Sequence, residues 1–124
     1  TKVTLKIKKQ GLVGTNPFTT HGNILVNIRE GAFSNDSALE LGDFRAADST
    51  DNRGSIVNTS LRNWYSTNLP SLAFRYIYAA GTTQFRLFFT RGDNNDRGAD
   101  YMKFFSGNAS PANRPKLIVQ YYLP

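Results

Sequence analysis

The sequence contains no cysteine and a single histidine, His21. It therefore has no disulfide scaffold and no thiolate-ligated zinc or iron–sulfur site, and it has too few imidazoles for a multi-histidine metal site. No apolar run approaches the roughly 20 residues that a membrane-spanning helix needs. Phosphate-binding loops, dinucleotide fingerprints and the G-x-S-x-G nucleophile elbow do not occur either. We therefore expect a protein that is not an enzyme and has no membrane span.

Residues that favour helices are also scarce, whereas residues typical of strands and turns are abundant. The chain has only 2 Glu and 6 Lys, while Thr, Asn, Ser and Gly account for 42 of its 124 residues. Aromatic residues contribute a further 13%. A length of 124 residues is typical of one domain, here taken as residues 1–124. The composition indicates an all-β domain.

Alternation of apolar and polar residues places the strands. In the first predicted strand, residues 2–9, Val3, Leu5 and Ile7 alternate with lysine and threonine. Similar patterns predict further strands at 23–30, 56–57, 61–65, 74–78, 81–91, 101–106 and 116–124. Residues 38–48 form either a short helix or an irregular crossing segment. Seven or eight short strands separated by turns predict an antiparallel β-sandwich of jelly-roll type.

The densest polar constellation is the turn at residues 93–100. Asp93, Asn95, Asp96 and Asp100 place hard oxygen ligands of the kind that calcium prefers within eight residues. The turn is not an EF-hand, because Arg97 occupies the third ligand position and Phe104 replaces the bidentate glutamate. A calcium site is one interpretation, and a hairpin turn held by Asx-turn hydrogen bonds is the other.

The formal net charge of +6 points to an acidic partner. Lys6 and Lys8 lie on the polar face of the first predicted strand, and Arg86 on the outward face of residues 81–91 extends the same basic stripe. Trp64 and Tyr101 are candidates for stacking on sugar rings. These five residues predict a binding face for an acidic polysaccharide. Nucleic acid is not favoured because no nucleic-acid-binding motif accompanies the charge, and an ordinary solvated surface is the simpler alternative.

The second half of the sequence resembles a known family. The segments TTQFRLFF, DNNDRGADY, SGNAS and RPKLIVQY within residues 82–124 resemble the end of a DNRLRE-type module, the group that includes carbohydrate-binding module family 96 and disaggregatase-related repeats. Residues 5–28 resemble the middle of such modules. The resemblance implies a non-catalytic β-sandwich at the cell surface or outside the cell, binding of acidic polysaccharide such as alginate, and structural calcium at residues 93–100.

The chain departs from the family pattern at its beginning. Modules of this kind start with further strands before the equivalent of residues 2–9. We therefore expect an incomplete sandwich with an open edge that accepts a strand from elsewhere. This expectation supports a second hypothesis, in which the protein is a structural or adhesive subunit that polymerises with neighbouring copies of itself by strand exchange.

Overall fold

The computed structural model describes residues 1–49 and 54–123. These residues form seven strands, named in chain order β1 (Lys2–Gly14), β2 (Ile24–Glu30), β3 (Gly54–Ile56), β4 (Trp64–Asn68), β5 (Thr83–Phe89), β6 (Asp100–Phe104) and β7 (Lys116–Gln120). A one-turn α-helix, α1 (Pro17–Thr20), and three short 3-10 helices connect them, the latter at Phe33–Asn35, Leu41–Phe44 and Ser71–Tyr76. The prediction of an all-β antiparallel sandwich is confirmed, while its jelly-roll topology stays a prediction.

The first sheet is organised around β1. The first half of β1 pairs with both β4 and β7. Its second half pairs with β6. All three pairings are antiparallel. Lys8 lies opposite Trp64, Lys6 opposite Lys116, and the register shifts between Lys9 and Gly11. Strand β1 therefore aligns three partners that are distant from one another in sequence.

The second sheet has the order β3-β2-β5 and covers the apolar face of the first. The two sheets pack through alternate side chains, as the alternation in the sequence predicts. The buried core comprises Val3, Leu5, Ile7, Phe18, Ile24, Val26, Ile28, Ile56, Tyr65, Leu69 and Ala73. The outer face of the second sheet is covered in part, since Asn27 is buried while Phe88 on the same face is exposed.

One local prediction is wrong, and one open alternative is decided. The strand expected at 74–78 is wrong, because a 3-10 helix runs over Ser71–Tyr76 after Pro70. That turn buries Ala73 and packs Phe74 against the core, which local propensity for strand cannot foresee. The crossing segment contains a 3-10 turn at Leu41–Phe44 within irregular chain. Within the described ranges, no helix has the length and apolar character needed to cross a membrane.

Candidate functional site

The outer face of the first sheet carries a cluster of basic side chains around one indole ring. The ammonium nitrogens of Lys6, Lys8 and Lys116 lie 5.3, 5.7 and 5.0 Å from the ring centroid of Trp64. We call these four residues the Trp64 cluster. Its members come from three adjacent strands, β4, β1 and β7, and all point away from the core because Leu5, Ile7 and Tyr65 between them point inward.

The register of the sheet places like charges side by side. Lys6 and Lys116 are directly opposite one another, an arrangement that destabilises a sheet unless something offsets the repulsion. The π face of Trp64 attracts each ammonium and supplies part of that offset. Among the residues that the structure describes, no carboxylate forms an ion pair within 4.0 Å with a lysine of the cluster. Within the described ranges, the Trp64 cluster is therefore a group of positive charges without a carboxylate partner.

One lysine of the cluster is held by a hydrogen bond. Lys8 Nζ donates to Asn113 Oδ1 at 2.7 Å, which ties β1 to the turn before β7. Asn113 is oriented in turn by its own Nδ2 donating to Ser110 Oγ at 3.2 Å. Sequence reasoning selected Lys6, Lys8 and Trp64 but missed Lys116 and Asn113. The signal for Lys116 was present, because it alternates with the inward-facing Leu117.

Tyr101 lies on the same sheet but away from the cluster. It lies on β6 and pairs with Val13 of β1. Its side chain is exposed on the same face as Lys103, because Met102 and Phe104 turn towards the core. Val13 is five residues beyond Lys8, which corresponds to about 17 Å along a strand. The structure thus places Tyr101 and Lys103 as an extension of the basic outer face, without direct contact to Trp64.

Arg86 does not belong to this face, and the expectation that it extends the lysine stripe is wrong. It lies on β5 of the second sheet, opposite Asn27. Its Nη1 donates to the carbonyl oxygens of Asp43 and Ala46, and its guanidinium stacks 4.6 Å from the ring centroid of Phe33. Arg86 therefore fastens the crossing segment to the second sheet, since its donors are directed to backbone oxygens.

The predicted calcium residues form a turn closed by its own hydrogen bonds. Asp93 Oδ1 accepts from the backbone N–H of Asn95 at 3.0 Å, and Asp96 Oδ1 accepts from that of Gly98 at 2.6 Å. The side-chain Nδ2 of Asn94 donates to Asp96 Oδ2 at 2.9 Å and to Asp100 Oδ2 at 2.8 Å. The two contacts to backbone N–H groups are Asx turns, as expected. The expected hairpin is wrong, because β5 and β6 on either side of the turn belong to different sheets.

A cation would have to compete with these N–H donors. The amide of Asn94 occupies the space between the two carboxylates, so calcium would require that side chain to rotate. The described residues contain no group of three or more His, Cys, Asp or Glu placed to hold a metal ion. Calcium at this turn stays a prediction of the sequence.

The single histidine is attached to the same turn. His21 Nδ1 lies 2.7 Å from the carbonyl oxygen of Gly92, and His21 Nε2 lies 3.4 Å from Asp100 Oδ2. Its ring also contacts Phe89 at a centroid distance of 6.1 Å. His21 thus anchors the acidic turn to the core, as an ordinary structural loop residue.

Comparison of the chain with protein-family models, curated proteins and solved structures finds no match.

Proposed function

We propose that this protein is a non-catalytic extracellular module that binds acidic polysaccharide on the outer face of its first sheet. The observation that carries the proposal is the convergence of three lysine ammonium groups on Trp64, with no carboxylate of the described residues paired to them. The chain's net charge of +6 also favours a negatively charged partner. The resemblance to carbohydrate-binding modules supports a glycan and an extracellular location.

The chemistry of the cluster suits uronate residues. A uronate carboxylate accepts hydrogen bonds from ammonium groups, and charge-assisted bonds of this type are the stronger ones. The aromatic ring offers an apolar surface to the C–H face of a sugar. The outer face of a sheet is an open surface, so that it can accommodate a polymer passing over it. Lys103 and Tyr101 would meet the same polymer further along β1.

Affinity electrophoresis in gels containing alginate, pectin or neutral dextran tests the proposal. We expect alginate and pectin, but not dextran, to retard migration of the protein. The retardation should weaken as the salt concentration rises. The double variant Lys6→Gln/Lys116→Gln removes two charges from the cluster and should reduce affinity by about tenfold or more. The matched control Arg45→Gln/Arg75→Gln removes two exposed charges elsewhere and should change it by less than about twofold.

Two results would overturn this proposal. One is an absence of retardation in alginate and pectin at low salt. The other is an equal loss of affinity in the lysine variant and the arginine control, since that would make binding a property of net charge and not of the Trp64 cluster.

A further inference from the structure

A polar pocket adjoins the Trp64 cluster. Gln10 of β1, Phe104 of β6, the adjacent Phe105 and five residues of the turn at 106–113 line it. Its volume is about 520 Å³, within the range of about 300–1,000 Å³ that is typical of small-molecule sites. As the described residues delimit it, the lining consists of amide, hydroxyl, methyl and aromatic side chains and contains no charged residue. The pocket therefore suits an uncharged ligand, in contrast to the cluster beside it.

The polar side chains of this pocket have unused hydrogen-bonding capacity. Among the described residues, the side-chain amides of Gln10 and Asn108 have no hydrogen-bond partner in the protein. Each amide supplies two N–H donors and one oxygen acceptor. Ser110 Oγ accepts from Asn113 Nδ2 at 3.2 Å, which leaves the Ser110 hydroxyl hydrogen free to be donated. Groups of this kind match the hydroxyls of a sugar, each of which is both a donor and an acceptor.

The wall formed by residues 106–113 is held by its own hydrogen bonds. The N–H of Ala109 donates to the carbonyl oxygen of Ser106 at 3.1 Å. The N–H of Asn113 donates to that of Ser110 at 2.8 Å. Arg114 Nε then donates to the Ala109 carbonyl oxygen at 2.8 Å and joins the two parts of the turn. Because this wall is already ordered, a ligand that binds to it avoids the entropic cost of ordering it.

Gln10 reaches the pocket from a bulge in β1. The pairing of β1 with β6 shifts register between Lys9 and Gly11, so that Gln10 is an extra residue without a partner on β6. Bulges of this kind occur next to functional sites, where they redirect a side chain. The ladder continues on both sides of Gln10, and the bulge therefore adds an amide to the pocket while β1 and β6 stay paired.

Asn113 connects the pocket to the Trp64 cluster. It lines the pocket, and its Oδ1 accepts a hydrogen bond from Lys8 Nζ at 2.7 Å. An ammonium group has three N–H donors, so two donors of Lys8 stay available to a ligand. The same Nζ lies 5.7 Å from the ring centroid of Trp64. A carboxylate held by Lys8 and a sugar ring held in the pocket are therefore close enough to belong to neighbouring units of one glycan chain.

We propose that this pocket binds an uncharged sugar ring next to a uronate that the Trp64 cluster holds. The inference rests on the function proposed above and narrows its ligand to acidic glycans in which uronates alternate with neutral sugars. The amides of Gln10 and Asn108 bind hydroxyl groups of the neutral ring, and Phe105 offers an aromatic surface to its C–H groups. A chain made only of uronates would place a carboxylate in a pocket without a charged partner, which costs desolvation energy.

Isothermal titration calorimetry with two hexasaccharides tests this inference. In hyaluronan each glucuronate alternates with an uncharged N-acetylglucosamine, whereas every sugar of alginate is a uronate. We expect the hyaluronan hexasaccharide to bind about threefold or more tightly than the alginate hexasaccharide, because the neutral rings gain hydrogen bonds in the pocket. Charge alone predicts the opposite order, since the hyaluronan fragment carries half as many carboxylates.

Removal of the two amides tests the pocket directly. The variant Gln10→Ala/Asn108→Ala should keep its fold, since both side chains are exposed, and thermal melting verifies this. Its affinity for the hyaluronan hexasaccharide should fall by about tenfold or more, while that for the alginate hexasaccharide should change by less than about twofold. The matched control Asn23→Ala/Asn58→Ala removes two exposed amides elsewhere and should alter neither affinity.

The outcomes separate this inference from the proposed function. If the alginate hexasaccharide binds as tightly as the hyaluronan hexasaccharide or more tightly, the neutral-sugar pocket is wrong while the proposed function stands. An unchanged hyaluronan affinity in Gln10→Ala/Asn108→Ala, or equal losses for both hexasaccharides, has the same meaning. If the wild-type protein binds neither hexasaccharide nor alginate polymer, the inference and the proposed function are both wrong.

Discussion

Phe18 of α1 stacks on Tyr65 of β4, with ring centroids 5.2 Å apart and planes inclined by 9°. Phe18 also meets Phe89 of β5 edge-on at 5.4 Å. Tyr65 belongs to the first sheet and Phe89 to the second, so one side chain from the short helix links both sheets. The helix holds this position because Asn16 caps it, its Oδ1 accepting from the Phe18 N–H at 3.0 Å.

We expect Phe18→Ala to lower the free energy of unfolding by about 3–5 kcal/mol, because it leaves a cavity between the two sheets. Urea denaturation followed by tryptophan fluorescence measures the change. Phe44→Ala is the control, since Phe44 is largely exposed and its removal should cost less than about 0.5 kcal/mol. Similar losses in the two variants would contradict the bridging role of Phe18.

Two glycines of β1 should respond differently to alanine. Gly14 has a φ of +71°, and a Cβ there would lie 1.6 Å from the carbonyl oxygen of Ala99. Gly11 has no atom within 4 Å of the corresponding position. We expect Gly14→Ala to destabilise the protein by more than about 2 kcal/mol and Gly11→Ala to be nearly neutral, as measured by thermal melting. An equal response would show that the turn after β1 rearranges freely.

Replacement of Arg86 should loosen the crossing segment without affecting the outer face of the first sheet. Arg86→Ala removes the donors to the carbonyl groups of Asp43 and Ala46, with an expected cost of about 2–3 kcal/mol. Hydrogen exchange should accelerate over residues 33–46, while retardation in alginate stays as in the wild type. Arg45→Ala serves as the exposed control. A selective loss of alginate retardation in Arg86→Ala would show that Arg86 takes part in binding and would contradict this prediction.

The calcium prediction is tested by melting the protein with calcium and with a chelator. If calcium binds the turn at 93–100, a concentration 100-fold above its dissociation constant adds about 2.7 kcal/mol to stability and raises the melting temperature. The variant Asp96→Asn/Asp100→Asn should lose that increase. The same melting temperature under all conditions would leave the hydrogen-bonded turn as the full account of these residues.

The sequence predicts which face of a strand a side chain lies on better than it predicts which residues that side chain contacts. Alternation in residues 2–9 correctly places Lys6 and Lys8 on the outer face and Val3 in the core. The pairing of Lys8 with Trp64 and of Lys6 with Lys116 depends on strand register across more than fifty residues of intervening chain. No local pattern encodes that register, so the Trp64 cluster was visible only in part.

Arg86 shows that alternation also fails to predict which sheet a strand joins. Alternation correctly separates it from the inward-facing Phe85, but both sheets have an outward face, and periodicity does not tell which sheet a strand joins. The crossing segment then covers that face and provides carbonyl groups for the guanidinium. The 3-10 helix at Ser71–Tyr76 was missed for a related reason, since its aromatic residues favour a strand locally and only packing determines otherwise.

The central position of β1 also bears on how the chain folds. Its residues pair with β4, β6 and β7, and Val3 meets Val119 near the far end of the described chain. Contacts so distant in sequence make folding slow, because the chain loses the entropy of loop closure before these contacts stabilise it. During synthesis, β1 emerges before its three partner strands and acquires the last of them only when β7 has been made. The apolar face of β1 is therefore open to premature association for longer than that of β4, β6 or β7.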